Sequence, residues 1–234
     1  MSDVRKLGEA MKQVVSDAYE AEEGVAAKSA LMNANRRRAF EYVAWHPGAT
    51  ATEVARALDA SDPTAAWHLR KLVDAGYVQE TRLPRARVYC VASLGLAQAE
   101  ITGLAALSNA DAARAFTSVV TTPGLTGTQI ADRMGASSAR ASLRSLIAAN
   151  LVVAVTDGRF RRYYAGAGVA AIERTSARRL RDFGRRLVRK LERDRLSPEA
   201  RRAPGDVLEI DLRFGDERAT LRLPAGSLLA GRLA

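Results

Sequence analysis

Apolar positions along this chain follow two spacings, three-to-four for helices and two for strands, in an order that occurs twice. Near the start, Val4, Leu7, Met11, Val14 and Ala18 mark one face of a helix over residues 3–20. The stretch EAEEGVAAKSALMNANRRR follows as a weaker helix or linker. From Arg36 to Trp45 the pattern predicts a helix with Phe40 and Val43 facing inward. His46-Pro47-Gly48 stops it, because proline cannot continue the hydrogen-bond ladder and glycine suits the turn. Thr50 or Thr52 caps a second helix that carries Val54, Ala55 and Leu58 on one face. Ser61 or Asp62 caps a third, with Pro63 near its first position and Ala65, Leu69, Leu72 and Val73 as its inner stripe. Gly76 ends that helix, and YVQETRLPRARVYCV reads as strand, turn at Leu83–Ala86, strand.

The same order then recurs. Helices are expected near Asp111–Thr121, Thr126–Met134 and Ser137–Ala149, followed by the hairpin LVVAVTDGRFRRYYA with its turn at Asp157-Gly158. At an offset of 76 residues, about eleven of the 24 positions from Arg38 to Ser61 are identical, among them Phe40/Phe116, Pro47/Pro123, Thr50/Thr126 and Thr52/Thr128. The match resumes at an offset of 74, with Leu69/Leu143, Leu72/Leu146, Arg85/Arg159, Arg87/Arg161 and Tyr89/Tyr163. A unit of about 60 residues is therefore duplicated.

Between the copies, Ser93 to Ala110 is rich in alanine and leucine and predicts a helix. After the second copy, a long helix is expected over 170–196, with Ile172, Leu180, Phe183, Leu187 and Leu191 as its stripe and arginine crowding the rest. SPEARRAPG breaks it. The tail alternates through Leu208, Ile210, Leu212 and Phe214, turns at Gly215-Asp216 and returns through Leu221 and Leu223. That is a half-buried hairpin, which needs a surface to cover it.

Three helices and a two-stranded hairpin describe a winged helix-turn-helix. The expected fold is mainly α with small β-hairpin wings (α+β): two tandem winged helix-turn-helix domains, flanking helices and a C-terminal β-hairpin. The corresponding segments are 1–35 (helical), 36–92 (first unit), 93–110 (helical linker), 111–169 (second unit), 170–202 (basic amphipathic helix) and 203–234 (hairpin and tail).

Charge adds a partner class. The chain of 234 residues has a formal net charge of +10, which favours a polyanion without distinguishing nucleic acid from a membrane or an acidic protein. The single cysteine, Cys90, excludes an intramolecular disulfide and fits a reducing compartment. No run approaches the roughly 18 apolar residues that span a bilayer. The N-terminal MSDVRKLGEAMKQ lacks the apolar core of a signal peptide. The expected location is cytoplasmic, associated with the nucleoid.

In a helix-turn-helix the third helix fits the DNA major groove. With the inner stripe assigned to the core, Thr64, Trp67, His68 and Lys71 are placed on its outer face. Thr64 and His68 are then expected to reach base edges and Lys71 a phosphate. Trp67 alternatively packs on the wing or a neighbouring helix. Arg82, Arg85 and Arg87 stand on the first wing, and Arg159, Arg161 and Arg162 on the second, suited to a phosphate backbone or minor groove. The second third-helix offers Ser138, Arg140 and Arg144, the two arginines one turn apart, suiting backbone contacts more than a detailed base code. The first copy is therefore expected to carry more of the specificity.

The motif SDPTAAWHLRKLVDAGYV resembles the recognition helix and first wing strand of bacterial and archaeal winged-helix regulators of the ArsR/MarR type. The resemblance covers about residues 36–92, and more weakly 112–166. It implies that Thr64, Trp67 and His68 face DNA. The metal-sensing members use paired cysteines, which this chain lacks.

The partner so implied is double-stranded DNA, bound with sequence preference in transcriptional regulation, by a homodimer held through its terminal helices. The alternatives are a sequence-independent architectural DNA-binding protein and a protein-interaction module. The basic helix lies along DNA or forms a dimer seam. No cofactor, metal or membrane partner is expected. An enzyme is not expected either, because His46 and His68 fall in a turn and on the third helix, without a nucleotide-binding glycine motif or a hydrolase motif nearby.

Overall fold

The structure, a computed structural model, describes residues 30–84 and 86–229. The stripe expected over residues 3–20 lies outside them. Asn33 caps α1 (Ala34–Trp45), its side chain accepting the Arg36 N–H at 3.0 Å. The helix stops directly before His46-Pro47, as the sequence requires. Thr50, rather than Thr52, caps α2 (Ala51–Leu58). Its hydroxyl accepts the Glu53 N–H at 3.3 Å while Glu53 accepts the Thr50 N–H at 2.7 Å, so two orphan donors are satisfied reciprocally. Thr52 instead donates to the Asp62 carboxylate at 2.7 Å and ties α2 to the helix that follows. Asp59 turns the chain in the left-handed region, and Ser61 caps α3 (Asp62–Asp74), with Pro63 in its first turn. The wing is β1 (Val78–Arg82) paired antiparallel with β2 (Arg87–Val91), from Val78↔Val91 to Arg82↔Arg87.

A 3-10 turn (Ala92–Leu94) and α4 (Gln98–Ala106) lead to α5 (Ala110–Thr121). The helical linker is thus interrupted around Gly95. Next come β3 (Leu125–Thr126), α6 (Gly127–Met134), α7 (Ala136–Ala148), β4 (Val152–Asp157) and β5 (Phe160–Ala165). The order of elements repeats, and so do its details. Thr126 and Gln129 form the same reciprocal cap as Thr50 and Glu53. The Ala49↔Tyr89 bridge of the first copy widens into β3 pairing with β5, giving the strand order β3-β5-β4.

The long helix is α8 (Ala167–Arg193), followed by a sheet with one strand more than expected: β6 (Glu199–Ala203), β7 (Val207–Phe214) and β8 (Glu217–Pro224), in that order. The segment read only as a helix breaker therefore supplies β6. One face of the sheet buries Ile210, Leu212, Leu221 and Leu223. The other carries ion pairs, with Arg201 and Arg222 each 2.8 Å from Glu209.

The surface that the hairpin needed comes from its own chain. The Trp45 indole donates to the Arg222 carbonyl at 3.0 Å, and Glu41 accepts the Arg222 N–H at 2.7 Å, docking β8 on α1. Burial raises the Glu41 pKa against the lowering effect of that bond and of nearby arginines. Leu180, Phe183, Leu187 and Leu191 of α8 are buried in the same continuous core. Arg186 donates to the Ser93 carbonyl at 2.8 Å, and Arg179 pairs with Glu100 at 2.9 Å, clamping α8 across the link between the copies. Neither α8 nor the hairpin therefore needs a second chain to cover its apolar face. Among the described residues no helix is long and apolar enough to cross a membrane.

Candidate nucleic-acid interface

The third helices determine what a ligand in a groove would meet. On α3 the buried positions are Ala65, His68, Leu69 and Leu72. That spacing is one helical face, and His68 belongs to it. The expectation that His68 points outward is corrected: it is 1% exposed, and neither ring nitrogen has a hydrogen-bond partner. Desolvation, followed by the charge of Arg36, lowers its pKa and keeps the ring neutral. A neutral, enclosed imidazole cannot reach a base edge.

Thr64 is half-buried, and its hydroxyl lies 2.8 Å from the Ser61 hydroxyl within the helix cap. Trp67 is also half-buried. The Arg36 guanidinium stands 5.9 Å from its ring centroid, the Lys71 ammonium 5.5 Å, and the His68 ring packs edge-on at 5.0 Å. These are cation–π distances, so one part of the Trp67 ring packs locally while the rest stays accessible. Arg70 is exposed beside it.

The first wing is partly engaged as well. Arg87 lies 3.5 Å from Glu80, which also accepts the Tyr89 hydroxyl at 3.2 Å. Burial, and then Glu80, raise the Tyr89 pKa. Arg82 is exposed, and Arg85 lies outside the described residues. The outer face of this wing, Val88 and Cys90, is buried beneath Ile101 of α4. Cys90 is thus a small core residue.

The second copy is arranged differently. Its buried third-helix positions, Ala139, Ser142, Leu143 and Leu146, match those of α3 at an offset of 74, with Ser142 in the place of His68. Arg140 and Arg144 are exposed. Together with Arg161 of β5 they line one concavity of about 710 Å³ between α6, α7 and the wing, floored by Leu143, Ile147 and Tyr163. Arg140, Arg144 and Arg161 meet no carboxylate among the described residues. Three guanidinium groups converging on one concave surface form an anion-binding arrangement.

The remaining expected residues do not join them. Ser138 hydrogen-bonds Asp111, which with Arg114 first and Ser138 second lowers that carboxyl's pKa. Arg162 braces the wing, donating to Asp157 at 2.6 Å and to the Gly124 carbonyl at 3.0 Å. Arg159 lies over Phe160 at 5.0 Å at the wing tip. Among the described residues no three His, Cys, Asp or Glu side chains gather as a metal site would require.

Residues 32–79, spanning α1 to the start of β1, match the family model described as winged helix-turn-helix DNA-binding. The chain therefore carries a winged helix-turn-helix DNA-binding domain over about a fifth of its length, and this class supports a DNA-binding regulator. A search of the curated proteins finds no match.

Proposed function

We propose that this chain is a transcriptional regulator that binds double-stranded DNA through two tandem winged helix-turn-helix units, 36–92 and 111–169, of the ArsR/MarR type. The observation that carries the reading is the convergence of Arg140, Arg144 and Arg161 beside α7, in a copy of the unit whose counterpart matches a DNA-binding family. Arg140 and Arg144 suit guanine edges in a major groove, where arginine bonds O6 and N7 together. Arg159 and Arg161 suit the flanking backbone or minor groove. On the first unit, Thr64, Trp67, Lys71 and the wing arginines remain the DNA-facing set, and His68 is withdrawn from it. The reading places the protein in the cytoplasm, on the nucleoid, without a cofactor or catalysis. Homodimerisation now rests on residues 3–20 alone, and light scattering at tens of micromolar tests it.

The deciding experiment selects fragments of the source organism's genomic DNA with purified protein, then titrates the winners against scrambled DNA at two salt concentrations. A motif bound roughly a thousandfold tighter than scrambled DNA supports the specific regulator. Tight, indiscriminate and steeply salt-dependent binding replaces it with an architectural role. The inward placement of His68 and Ser142, which leaves arginines to do most of the reading, favours that second outcome over a protein-only module.

A further inference from the structure

Away from both third helices, a cleft of about 530 Å³ opens between α8 and the C-terminal sheet. Its floor is apolar, made of Leu180, Val188, Leu208 and Ala225. Gly184 sets its depth, because a Cβ there would stand 3.1 Å from the Leu208 side chain, so glycine lets the helix approach the sheet. Beyond that approach the two walls separate. On β6, Ala200 and Arg202 share the core face with their partners Ile210 and Leu208, yet both are exposed because α8 does not cover them.

The rim is cationic on both walls. Arg181, Arg185 and Arg189 follow one another at single-turn spacing on α8, and Arg202 stands opposite on β6. Several other cations of α8 are engaged: Arg178 on Asp182, Arg179 on Glu100, Arg186 on the Ser93 carbonyl, and Lys190 on Asp194. The four at the cleft have no ion pair among the described residues, and Glu192 at one end is the single carboxylate in the lining. Like charges one helical turn apart repel, so this row favours an anion that neutralises it.

We propose that the cleft is a binding site for a small amphipathic organic anion, one carrying a carboxylate or sulfonate head on an extended apolar body. The volume lies within the range of small-molecule sites, which are mostly apolar with a few placed polar groups. Guanidinium forks meet the head in charge-assisted pairs, and the leucine and valine floor takes the body. A nucleic-acid backbone would satisfy the arginines but present nothing apolar to the floor. The site stands independently of the DNA reading, because none of its lining residues belongs to either winged unit.

Dodecanoate, below its micelle concentration, is the probe, titrated calorimetrically into the full chain. Dodecanoate is expected to bind one-to-one, at least about tenfold tighter than dodecanol or butanoate, since head and body each contribute. Arg185→Gln/Arg189→Gln should weaken it at least about tenfold, whereas Arg174→Gln/Arg178→Gln, on exposed arginines of the same helix outside the cleft, should leave it within about twofold. Thermal melts of both variants guard against misfolding. Equal binding of dodecanol, equal binding of sulfate, or dodecanoate binding untouched by Arg185→Gln/Arg189→Gln overturns the site. So does an Arg185→Gln/Arg189→Gln effect seen only on DNA affinity or on the mass in light scattering, which assigns the arginines to nucleic acid or to a second copy.

Discussion

At matching positions the two wings have different surroundings. Val88 and Cys90 of the first lie under α4, whereas on the second the same face shows Val153, Val155 and Phe160 to solvent at 44%, 47% and 44% exposure. The contrast extends through the units. In the first, α1 receives the C-terminal sheet, α8 clamps the turn after β2, and Tyr77 behind α3 bonds Asp194 and lies under Lys190 at 4.4 Å. Several of its charges are engaged too, Arg87 on Glu80 and Arg36 and Lys71 on Trp67, while Arg70 and Arg82 stay exposed. In the second, Arg140, Arg144 and Arg161 meet solvent without carboxylate partners among the described residues. The two units follow the same order of elements, yet the first is packed as a hub, while the second leaves Arg140, Arg144 and Arg161 open to solvent. On the proposed reading the second unit leads in DNA contact, whereas the sequence alone assigns more of the specificity to the first.

The core offers the strongest way to break that contrast. Phe40 and Phe116 are equivalent and both fully buried. Phe40 also meets Tyr77 edge-to-face at 5.9 Å, and through Tyr77 the hub. Phe116→Ala should cost about 3 kcal/mol and Phe40→Ala about 4–5 kcal/mol in urea unfolding. In hydrogen exchange, Phe40→Ala should also release protection across β7 and β8, and Phe116→Ala should not. Equal costs and equal exchange patterns would show that the first unit is no hub.

Next in size is DNA affinity. Arg140→Ala/Arg144→Ala removes two contacts at about 1–3 kcal/mol each, so affinity should fall on the order of 30-fold or more. Arg161→Ala should weaken all sequences alike and lower the salt slope by about one. Thr64→Ala, whose hydroxyl sits in the Ser61 cap, should change affinity less than any of these. If Thr64→Ala outweighs Arg140→Ala/Arg144→Ala, the first unit leads recognition after all.

A smaller effect separates the two inner polar positions. His68 has a folded-state pKa below its usual 6.5 because burial, then Arg36, disfavour the charged form. Below pH 6.5 the unfolded chain takes up a proton that the folded ring resists. The stability linked to neutral His68 is therefore complete above that pH and lost as pH falls from 6.5 toward the folded value. His68→Leu should abolish this slope in pH-dependent urea unfolding. It should add about 1 kcal/mol near neutral pH by removing two unpartnered nitrogens, with DNA preference unchanged. Ser142→Ala should introduce no pH dependence. A shift in sequence preference with His68→Leu would return this residue to the DNA face.

The legible parts of this molecule are local, and the illegible parts are tertiary. Pro47, Gly48, a cap at Thr50 or Thr52 and the turn at Asp157-Gly158 act within a few residues of themselves, and they placed the helices and wings, with the structure choosing Thr50. The inward turn of His68 was also readable, since 65, 68, 69 and 72 are one helical face, but a histidine on a third helix invites an outward assignment. Strand β6 was not readable: EARRA has no apolar alternation, and β7 alone holds it in the sheet. The one-turn spacing of Arg140 and Arg144 is in the sequence, whereas Arg161 joins them only once the wing folds back. The cover on the first wing depends on where α4 packs, which its own residues do not record.

The finest test uses the device that the two units share almost unchanged. Thr50 and Glu53 at α2, and Thr126 and Gln129 at α6, make the same reciprocal bonds, with backbone-to-side-chain distances of 2.7 Å and 3.3 Å in the first and 2.8 Å and 3.3 Å in the second. The acceptor at the third helical position differs in charge: Glu53 adds a carboxylate at the positive end of the helix dipole, and Gln129 does not. Thr50→Ala and Thr126→Ala should each cost about 1 kcal/mol. Glu53→Gln should cost only a few tenths of that and lose its effect in high salt, because a dipole interaction near the surface is screened while the hydrogen bond remains. Gln129→Glu should gain a similar amount at low salt. A Glu53→Gln cost that persists in high salt would mean that the carboxylate acts through the hub packing around α2, and the two caps would then differ by context as the wings do.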